Sequence, residues 1–204
     1  LLVAQVTHRV RWEESVRKAI HIGCERGIEL GNGRRGARNR GKPFALFRRN
    51  GKMQMTDDEL IEKLLLAAQN APTAHNNQPQ IIYVMRSQEA LDIVDASTRA
   101  RFGAPLAFVI CYDTELSWKS KDGRDSGIVD ASIVATHILL EATDLGLGSV
   151  WVGLFKPDVI KEKLELPENI IPVCILPIGF ASQTSVPLNL HNLRRPLSET
   201  VRFR

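Results

Sequence analysis

The chain has 204 residues, of which 44% are hydrophobic and 25% charged, a composition typical of one soluble globular domain. No apolar run approaches the ~18 residues that a membrane-spanning helix needs. The first residues alternate polar and apolar too quickly for a secretory signal, so we expect a cytoplasmic protein that does not bind membranes. The cysteines Cys24, Cys111 and Cys174 lie far apart, which argues against a disulfide framework and against a zinc or other metal site.

The net charge of +4 is distributed unevenly along the chain. Residues 1–52 carry 13 Lys and Arg against 4 Asp and Glu, whereas residues 53–204 carry 14 against 19. Residues 25–52 mix glycines with seven arginines and offer little apolar surface to offset the entropy of ordering. We therefore predict a basic Gly/Arg-rich N-terminal extension over residues 1–52, partly disordered after a short helix at 13–22, and an acidic folded domain over residues 53–204.

Two binding functions are conceivable for this extension. Gly31–Gly36 fits the G-x-G-x-x-G pattern of dinucleotide-binding loops, but such a loop must lie between a buried strand and a helix, and the residues after it cannot form a packed helix. The arginines could neutralise nucleic-acid phosphates. Aromatic side chains that would stack on bases are almost absent, since Phe44 and Phe47 lie only at its end. A solvated basic tail is the simpler interpretation, and a nucleic-acid partner is not expected.

From Thr56 onward the sequence predicts regular structure. Thr56-Asp57-Asp58-Glu59 is a capping box before a helix that runs to about Gln69. The apolar pattern then predicts a strand at 81–85, a helix at 87–97, a doubly covered strand at 106–112, a long helix at 125–145, a strand at 149–153, a helix at 157–164 and a strand at 170–179. Pro177 indicates a bulge or an edge position in the last strand, and residues 181–204 should form an extended arm. Helices and strands alternate without strict βαβ order, so the predicted class is α+β.

The loop Ala71–Pro79 is the most distinctive candidate for a binding site. It reads Ala-Pro-Thr-Ala-His-Asn-Asn-Gln-Pro, between a strong helix and a strand. Its prolines restrict the backbone, while its hydroxyl and amide side chains offer donors and acceptors at fixed positions, which suits the binding of a polar planar ring. A plain helix-to-strand turn uses the same residue types. The residues alone therefore leave both interpretations open.

Five segments in order resemble the nitroreductase family of FMN enzymes, which reduce nitro compounds, quinones or related acceptors with NADH or NADPH. The loop resembles the family's A-P-S-x-x-N-x-Q-P-W motif, and Asp125–Asp130 resembles the start of its D-x-G helix. Leu145–Gly153 resembles L-G-L-G-S-x-W-x-G, Pro172–Phe180 resembles P-V-x-x-I-x-x-G-Y, and Arg194–Val201 resembles R-K-P-L-x-E-x-V. The resemblance covers about residues 55–204. It implies a nitroreductase-like central sheet, mostly antiparallel and flanked by helices, with an extended C-terminal arm.

The resemblance also implies an FMN site shared by the two subunits of a homodimer, whose interface the long helix at 125–145 would suit. Matching by position gives three groups of cofactor-binding residues. They are Pro72, Thr73, Ala74, Asn76 and Gln78 in the loop; Val152, Gly153 and Leu154 beside the flavin, where a backbone N–H faces N5; and Arg194 and Arg195 at the phosphate. Thr73 keeps the hydroxyl of the usual serine, whereas Gln80 stands where the family often has Trp.

The family's R-x-S-x-R-x-F motif, which precedes the first capped helix, is altered in this chain. One register places Arg48 at the second arginine and Leu46 at the serine, and another uses Arg48–Lys52 with a shorter link to the helix. Ser15–Lys18 has suitable letters but lies far upstream. We assign the anchoring of FMN on this side to Arg48 or Arg49.

The implied reaction needs no catalytic side chain, because the flavin supplies the redox chemistry. In a ping-pong scheme NADH or NADPH would pass a hydride to flavin N5 and leave, and a small-molecule electron acceptor would then use the same space. His75 is expected to form local hydrogen bonds, and His137 to pack within its helix. The alternative is a flavin-binding or flavin-lost relative that acts as a binding module, which the altered arginine motif favours.

Overall fold

The computed structural model of the chain describes residues 29–30, 57–181 and 193–204, with only the backbone described at 29–30. Several sequence predictions therefore lie outside the described residues. They are the helix at 13–22, most of the Gly/Arg-rich extension, the candidate arginines Arg48 and Arg49, and the helix cap at Thr56.

The described helices are α1 (Asp57–Gln69), α2 (Gln88–Ser97), α3 (Gly127–Asp144), α4 (Pro157–Lys163) and α5 (Leu197–Thr200), with a 3-10 turn at Ala74–Asn76. The described strands are β1 (Glu29–Leu30), β2 (Gln80–Met85), β3 (Leu106–Asp113), β4 (Gly148–Trp151) and β5 (Ile170–Gly179). Each element predicted between residues 57 and 179 is present, with boundaries shifted by no more than two residues. None of the described helices is long and apolar enough to cross a membrane.

The strands form one sheet in the order β1-β4-β5-β3-β2. The four longer strands are antiparallel to one another, and the short β1 runs parallel to β4 through the pairs Glu29↔Val150 and Leu30↔Trp151. After β4 ends, Val152 still pairs with Ile175 of β5. This arrangement is the α+β fold with a mostly antiparallel sheet that the sequence predicts.

The prediction for Pro177 was wrong, because β5 lies inside the sheet between β4 and β3, and the register shift of the β3–β5 pair lies at Ile110/Cys111. The N–H and C=O groups of Ile175 both bond to Val152, on the β4 side. Alternate residues of a strand face the same neighbour, so the nitrogen of Pro177 also faces β4. The β4–β5 pairs stop at Ser149↔Ile178 and resume at Val152, so the proline falls where the ladder is already interrupted.

The sheet separates two apolar clusters. On one face α1 and α3 pack against β3 and β5, and the central side chains there are Leu64, Phe108, Ile110, Val134, Ile138 and Leu176. On the other face α2 and α4 pack through Leu91, Val94, Val109, Ile160 and Ile175. Covering on both faces explains why β3 is buried from Leu106 to Tyr112, as predicted. The described part of the C-terminal arm, residues 193–204, is exposed throughout and contains one helical turn, α5.

Candidate functional site

The loop after α1 has an unusual backbone. His75, Asn76 and Gln78 adopt the left-handed conformation, with φ values of 53°, 57° and 51°. Residues other than glycine rarely adopt it, and each such position costs roughly 1–3 kcal/mol unless its surroundings hold it there. A plain turn has no need of three such positions, so the contacts that hold this loop are informative about its role.

Hydrogen bonds within the loop engage the backbone N–H groups of three of its residues. The N–H groups of Asn76 and Asn77 donate to the carbonyls of Thr73 and Ala74, at 3.0 and 3.1 Å. The N–H of Gln78 donates to Oγ1 of Thr73 at 3.1 Å. The Thr73 hydroxyl accepts in this bond, and its own proton, for which the described residues offer no acceptor, can be donated to a ligand.

The first turn of α3 and the segment that precedes it hold the loop from outside. The His75 ring stacks on the Trp118 indole, with ring centroids 5.3 Å apart and planes 12° from parallel. Nδ2 of Asn77 donates to the carbonyl of Leu116 at 3.0 Å. The N–H of Ala74 donates to Oδ1 of Asp130 at 2.9 Å. The sequence predicted local hydrogen bonds for His75, whereas the contact that the structure describes for its side chain is this ring stack.

Asp130 is buried, with only 2% of its surface exposed. The other buried polar side chains in the described part of the chain are serines and a threonine, so Asp130 is the one with an ionisable carboxylate. Its Oδ2 accepts a hydrogen bond from the hydroxyl of Ser126 at 2.8 Å. Neither Trp118 nor Asp130 was predicted from the sequence to take part in the site. The available signal was one carboxylate on a helix face that otherwise carries apolar residues such as Val134 and Ile138.

In the segment Val152–Leu154, the first residue is hydrogen-bonded into the sheet, and the next two form an open part whose backbone N–H groups are available. Both backbone groups of Val152 bond to Ile175, at 2.9 and 3.0 Å. The N–H groups of Gly153 and Leu154 meet no acceptor among the described residues, and the Leu154 side chain is 76% exposed. The hydroxyl of Thr98 donates to the carbonyl of Leu154 at 2.8 Å and fixes this open part in place. Two of the three predicted residues can therefore donate a backbone N–H to a ligand.

The loop lies at the end of the sheet where β2 begins and β3 ends, and β4 runs toward that end but stops short of it, because Val152 pairs with Ile175, a partner of Val109 in the middle of β3. The strands that carry the loop and the Val152–Leu154 segment, β2 and β4, are separated by β3 and β5. Three strand spacings amount to about 14 Å. Within one chain the two parts therefore do not converge on one point.

The two arginines of the C-terminal arm make local hydrogen bonds. Nη1 of Arg194 donates to the carbonyl of Leu193 at 2.8 Å. Nε of Arg195 donates to Glu199 at 3.0 Å, and both of these side chains are more than half exposed. In the described part of the chain, no hydrogen bond links either arginine to the loop or to the Val152–Leu154 segment.

An apolar groove of about 510 Å³ runs along the outer face of α3. Its lining residues are Pro72, Ile128, Val129, Ser132, Ile133, Thr136, His137 and Leu140. Ile128 and Val129 are 56% and 59% exposed, which is unusual for two adjacent apolar residues on a helix. Because Pro72 belongs to the loop, this face borders the candidate site directly.

Neither of the described cysteines has the properties of a nucleophile. Burial raises the pKa of the Cys111 thiol to about 12, and it raises the pKa of Cys174 as well. Burial lowers the pKa of His137, whose Nδ1 lies 3.2 Å from the carbonyl of Ile133 within its own helix. Over the described ranges, no three His, Cys, Asp or Glu side chains are grouped as metal ligands.

Comparison with known proteins identifies the family. Residues 49–107 and 95–180 match the model of the nitroreductase family, and together these ranges span more than half of the chain. This chain is a member of the nitroreductase family. The family resemblance and the fold class predicted from the sequence are thereby confirmed, and the chain is assigned to a family of oxidoreductases.

Relatives of this nitroreductase-family chain are similar over most of the folded domain. A protein of Archaeoglobus fulgidus, named as an NADH dehydrogenase/NAD(P)H nitroreductase, is 38% identical over 130 residues, which cover 60% of this chain and 73% of the relative. The crystal structure of a nitroreductase family protein from Clostridium difficile 630 has 39% identity and a TM-score of 0.68, covering 72% of this chain and 87% of the other. An FMN-dependent nitroreductase from Clostridium difficile R20291 has 28% identity and a TM-score of 0.58, covering 72% and 88%.

Proposed function

We propose that this chain binds FMN as a homodimer and transfers a hydride from NADH or NADPH to a nitroaromatic, quinone or similar acceptor in a ping-pong reaction. The observation that carries the proposal is the strained loop at 71–79, which is hydrogen-bonded to α3 and to the segment before it and borders the groove on α3. Family membership supports the reaction class. A solved relative is FMN-dependent and a curated relative is named for NAD(P)H, which supports the cofactor and the electron donor.

The loop would bind the cofactor mainly through side chains. The backbone N–H groups of Ala74, Asn76 and Gln78 are engaged by Asp130 or within the loop. Thr73 is half-buried and has a hydroxyl proton to donate, which suits an oxygen or nitrogen acceptor on FMN. Pro72 and the Ala74 methyl group would supply apolar contact with the ring system.

The open part of the Val152–Leu154 segment would face the reactive edge of the flavin. FMN supplies the hydride chemistry, which no described side chain offers. The N–H groups of Gly153 and Leu154 can donate toward N5, whereas the N–H of Val152 is engaged in the sheet. Among the described residues, a β carbon on Gly153 would meet only Nε1 of Trp151, at 3.8 Å. Packing against the described residues therefore does not require glycine, which leaves room for a ligand on this side.

A homodimer would bring the separated parts of the site together. The groove on α3 starts at Pro72, so a second copy on this face would lie against the loop. The loop of one subunit could then complete the Val152–Leu154 side of the other. The arm also carries four exposed apolar side chains, Leu193, Leu197, Val201 and Phe203, which a partner subunit could cover. We assign Arg194 and Arg195, together with Arg48 or Arg49, to the FMN phosphate.

One sequence observation favours a second candidate function. The arginine motif before α1 is altered, and weaker phosphate binding would favour a binding module without reductase activity. Reduction of the bound flavin by NADH or NADPH distinguishes the reductase from the binding module, because a binding module could take up flavin without reacting with either nucleotide.

Titration of FMN into the purified dimer, followed by quenching of flavin fluorescence, tests the site with matched variants of Thr73. The Thr73→Ser variant keeps the hydroxyl, whereas Thr73→Val keeps the shape and removes both the hydroxyl proton and the oxygen that accepts the Gln78 N–H. We expect Thr73→Ser to bind like the wild type and Thr73→Val to bind about 5–10-fold more weakly, as the loss of one hydrogen bond implies. Equal affinity of all three proteins would contradict the role of Thr73.

A further inference from the structure

We propose that Asp130 is the positioning residue of the loop at 71–79, so that its carboxylate sets the geometry in which the loop binds FMN. This inference rests on the proposed function, because it assigns a role within the same site. Asp130 is not expected to touch the cofactor. It acts through the N–H of Ala74, which donates to Oδ1 of Asp130 at 2.9 Å.

The location of the carboxylate supports a specific role. A buried charge is unfavourable unless hydrogen bonds and dipoles compensate for it. Asp130 lies in the first turn of α3, where the helix dipole favours a negative charge. Its two oxygens accept separate bonds, one from the Ala74 N–H and one from the Ser126 hydroxyl. Burial of the carboxylate is therefore compensated in part by the loop itself.

The bond acts at the position where the loop leaves extended geometry. Thr73 is extended, with φ −130° and ψ 156°, Ala74 begins the 3-10 turn, and His75 is already left-handed. Anchoring the Ala74 N–H fixes the peptide between Thr73 and Ala74. It thereby fixes the direction of the Thr73 hydroxyl and the start of the strained residues. Of the loop contacts described above, this bond is the one made by a buried charge.

The same turn of α3 links the loop to the proposed dimer interface. Val129 precedes Asp130 and is 59% exposed on the grooved face, whereas Asp130 points inward to the loop. A shift of α3 at the interface would therefore also move the Asp130 carboxylate to which the Ala74 N–H is bonded. We expect the loop to keep its binding geometry only while this carboxylate is in place.

Hydrogen exchange of the ligand-free dimer gives a readout that does not depend on FMN. In Asp130→Ala the Ala74 N–H loses its acceptor, and we expect amides in residues 73–78 to exchange about 10-fold faster or more, while β3 and the middle of α3 exchange as in the wild type. Asp130→Asn should stay close to the wild type. Its amide oxygen can accept from Ala74, and its NH₂ group can donate to the Ser126 oxygen.

FMN affinity of the same proteins provides the second readout. We expect Asp130→Ala to raise the Kd for FMN about 10-fold or more and Asp130→Asn to raise it no more than about 3-fold. Ser126→Ala removes the other bond of Asp130 and should have a small effect on the loop. Ala74→Pro deletes the N–H itself at a position whose preceding residue is already extended, as a proline requires. Its effect on Kd should not add to that of Asp130→Ala, since both break the same bond.

Three outcomes would overturn the inference. The first is loop exchange and FMN affinity in Asp130→Ala that match the wild type. The second is faster exchange spread evenly over the chain in both Asp130 variants, which indicates a structural role only. The third is full additivity of Ala74→Pro and Asp130→Ala. A wild-type dimer that binds no FMN would instead contradict the proposed function, and the exchange data would still decide whether Asp130 anchors the loop.

Discussion

The ring of Tyr112 lies directly against the backbone of Gly127, so closely that a β carbon on Gly127 would stand 2.0 Å from Cδ2 of the ring. Tyr112 is near the end of β3, and Gly127 is the first residue of α3. This contact sets how closely the helix approaches the sheet at the end where the loop lies. It also explains the glycine of the D-x-G motif, whose Asp125 accepts the Gly127 N–H at 2.7 Å.

Gly127→Ala should therefore destabilise the fold. The added methyl group would overlap a ring that is 6% exposed and has little room to move, and overpacking of this kind costs about 1–3 kcal/mol or more. Urea unfolding of the ligand-free protein measures the loss in the free energy of unfolding. Unchanged stability of Gly127→Ala would show that the start of α3 shifts freely.

Gly153→Ala is the matched control and a prediction of its own. In the described part of the chain its methyl group would meet only Nε1 of Trp151, at 3.8 Å, so the ligand-free protein should unfold within about 0.5 kcal/mol of the wild type. The methyl group would instead occupy space proposed for the flavin. We expect weaker FMN binding or slower NAD(P)H oxidation, both measurable with the purified dimer. Wild-type values in both assays would remove Gly153 from the site.

A charge placed on the outer face of α3 should break the dimer. Val129 is 59% exposed in the single chain and lines the groove next to Pro72. A carboxylate buried at an interface without a partner is strongly unfavourable. We expect Val129→Glu to sediment as a monomer at concentrations where the wild type is a dimer, and to lose FMN.

Leu66→Glu provides the control for that experiment, because Leu66 is an apolar side chain on α1 that is 48% exposed. This variant should remain dimeric. Dissociation of Leu66→Glu together with an intact Val129→Glu dimer would place the interface on α1 and contradict the shared site proposed for the loop.

The buried thiols should be unreactive in the folded protein. In a Cys24→Ser variant, the remaining Cys111 and Cys174 are both fully buried, and burial raises both pKa values. We expect almost no reaction with a thiol reagent at about pH 8 until the chain is unfolded, and activity that survives the treatment. Rapid modification of the native protein with loss of activity would instead indicate a functional cysteine.

The same pKa shift predicts lower stability at high pH. The unfolded chain ionises the Cys111 thiol near its ordinary pKa of 9.0, whereas the folded chain holds the proton to about 12. This contribution to stability is therefore complete below about pH 9 and is lost as the pH rises toward 12. Burial also raises the pKa of Tyr83 and Tyr112, which acts in the same direction. Urea midpoints measured between pH 8 and pH 11 should fall steadily.

Local signals account for the parts of the fold that the sequence predicted. α1 ends at Gln69, shortly before Pro72. The Ser87 hydroxyl caps α2 by accepting a hydrogen bond from the Ala90 N–H at 3.2 Å. The interruption of the ladder beside Pro177 was not predictable, because it depends on which strand lies on each side of β5. Which strands become neighbours depends on contacts between residues far apart in the sequence, and it cannot be read from the residues of one strand alone.

The candidate site shows the same limit. The motif at 71–79 was visible in the sequence, but the left-handed backbone at His75 has no glycine to reveal it. The anchor between Ala74 and Asp130 joins residues 56 positions apart, and Trp118 reaches His75 from a loop with no motif. Such partners become visible only once β3 and α3 are placed side by side.

The most direct test of the central claim is the visible spectrum of the FMN-loaded dimer under anaerobic conditions, before and after the addition of NADH or NADPH. The bound flavin should give a yellow protein whose visible absorption is lost with one of the two nucleotides and returns when a quinone or nitroaromatic acceptor is added. A protein that takes up no FMN, or whose bound flavin keeps its colour with both nucleotides, would contradict the proposed function.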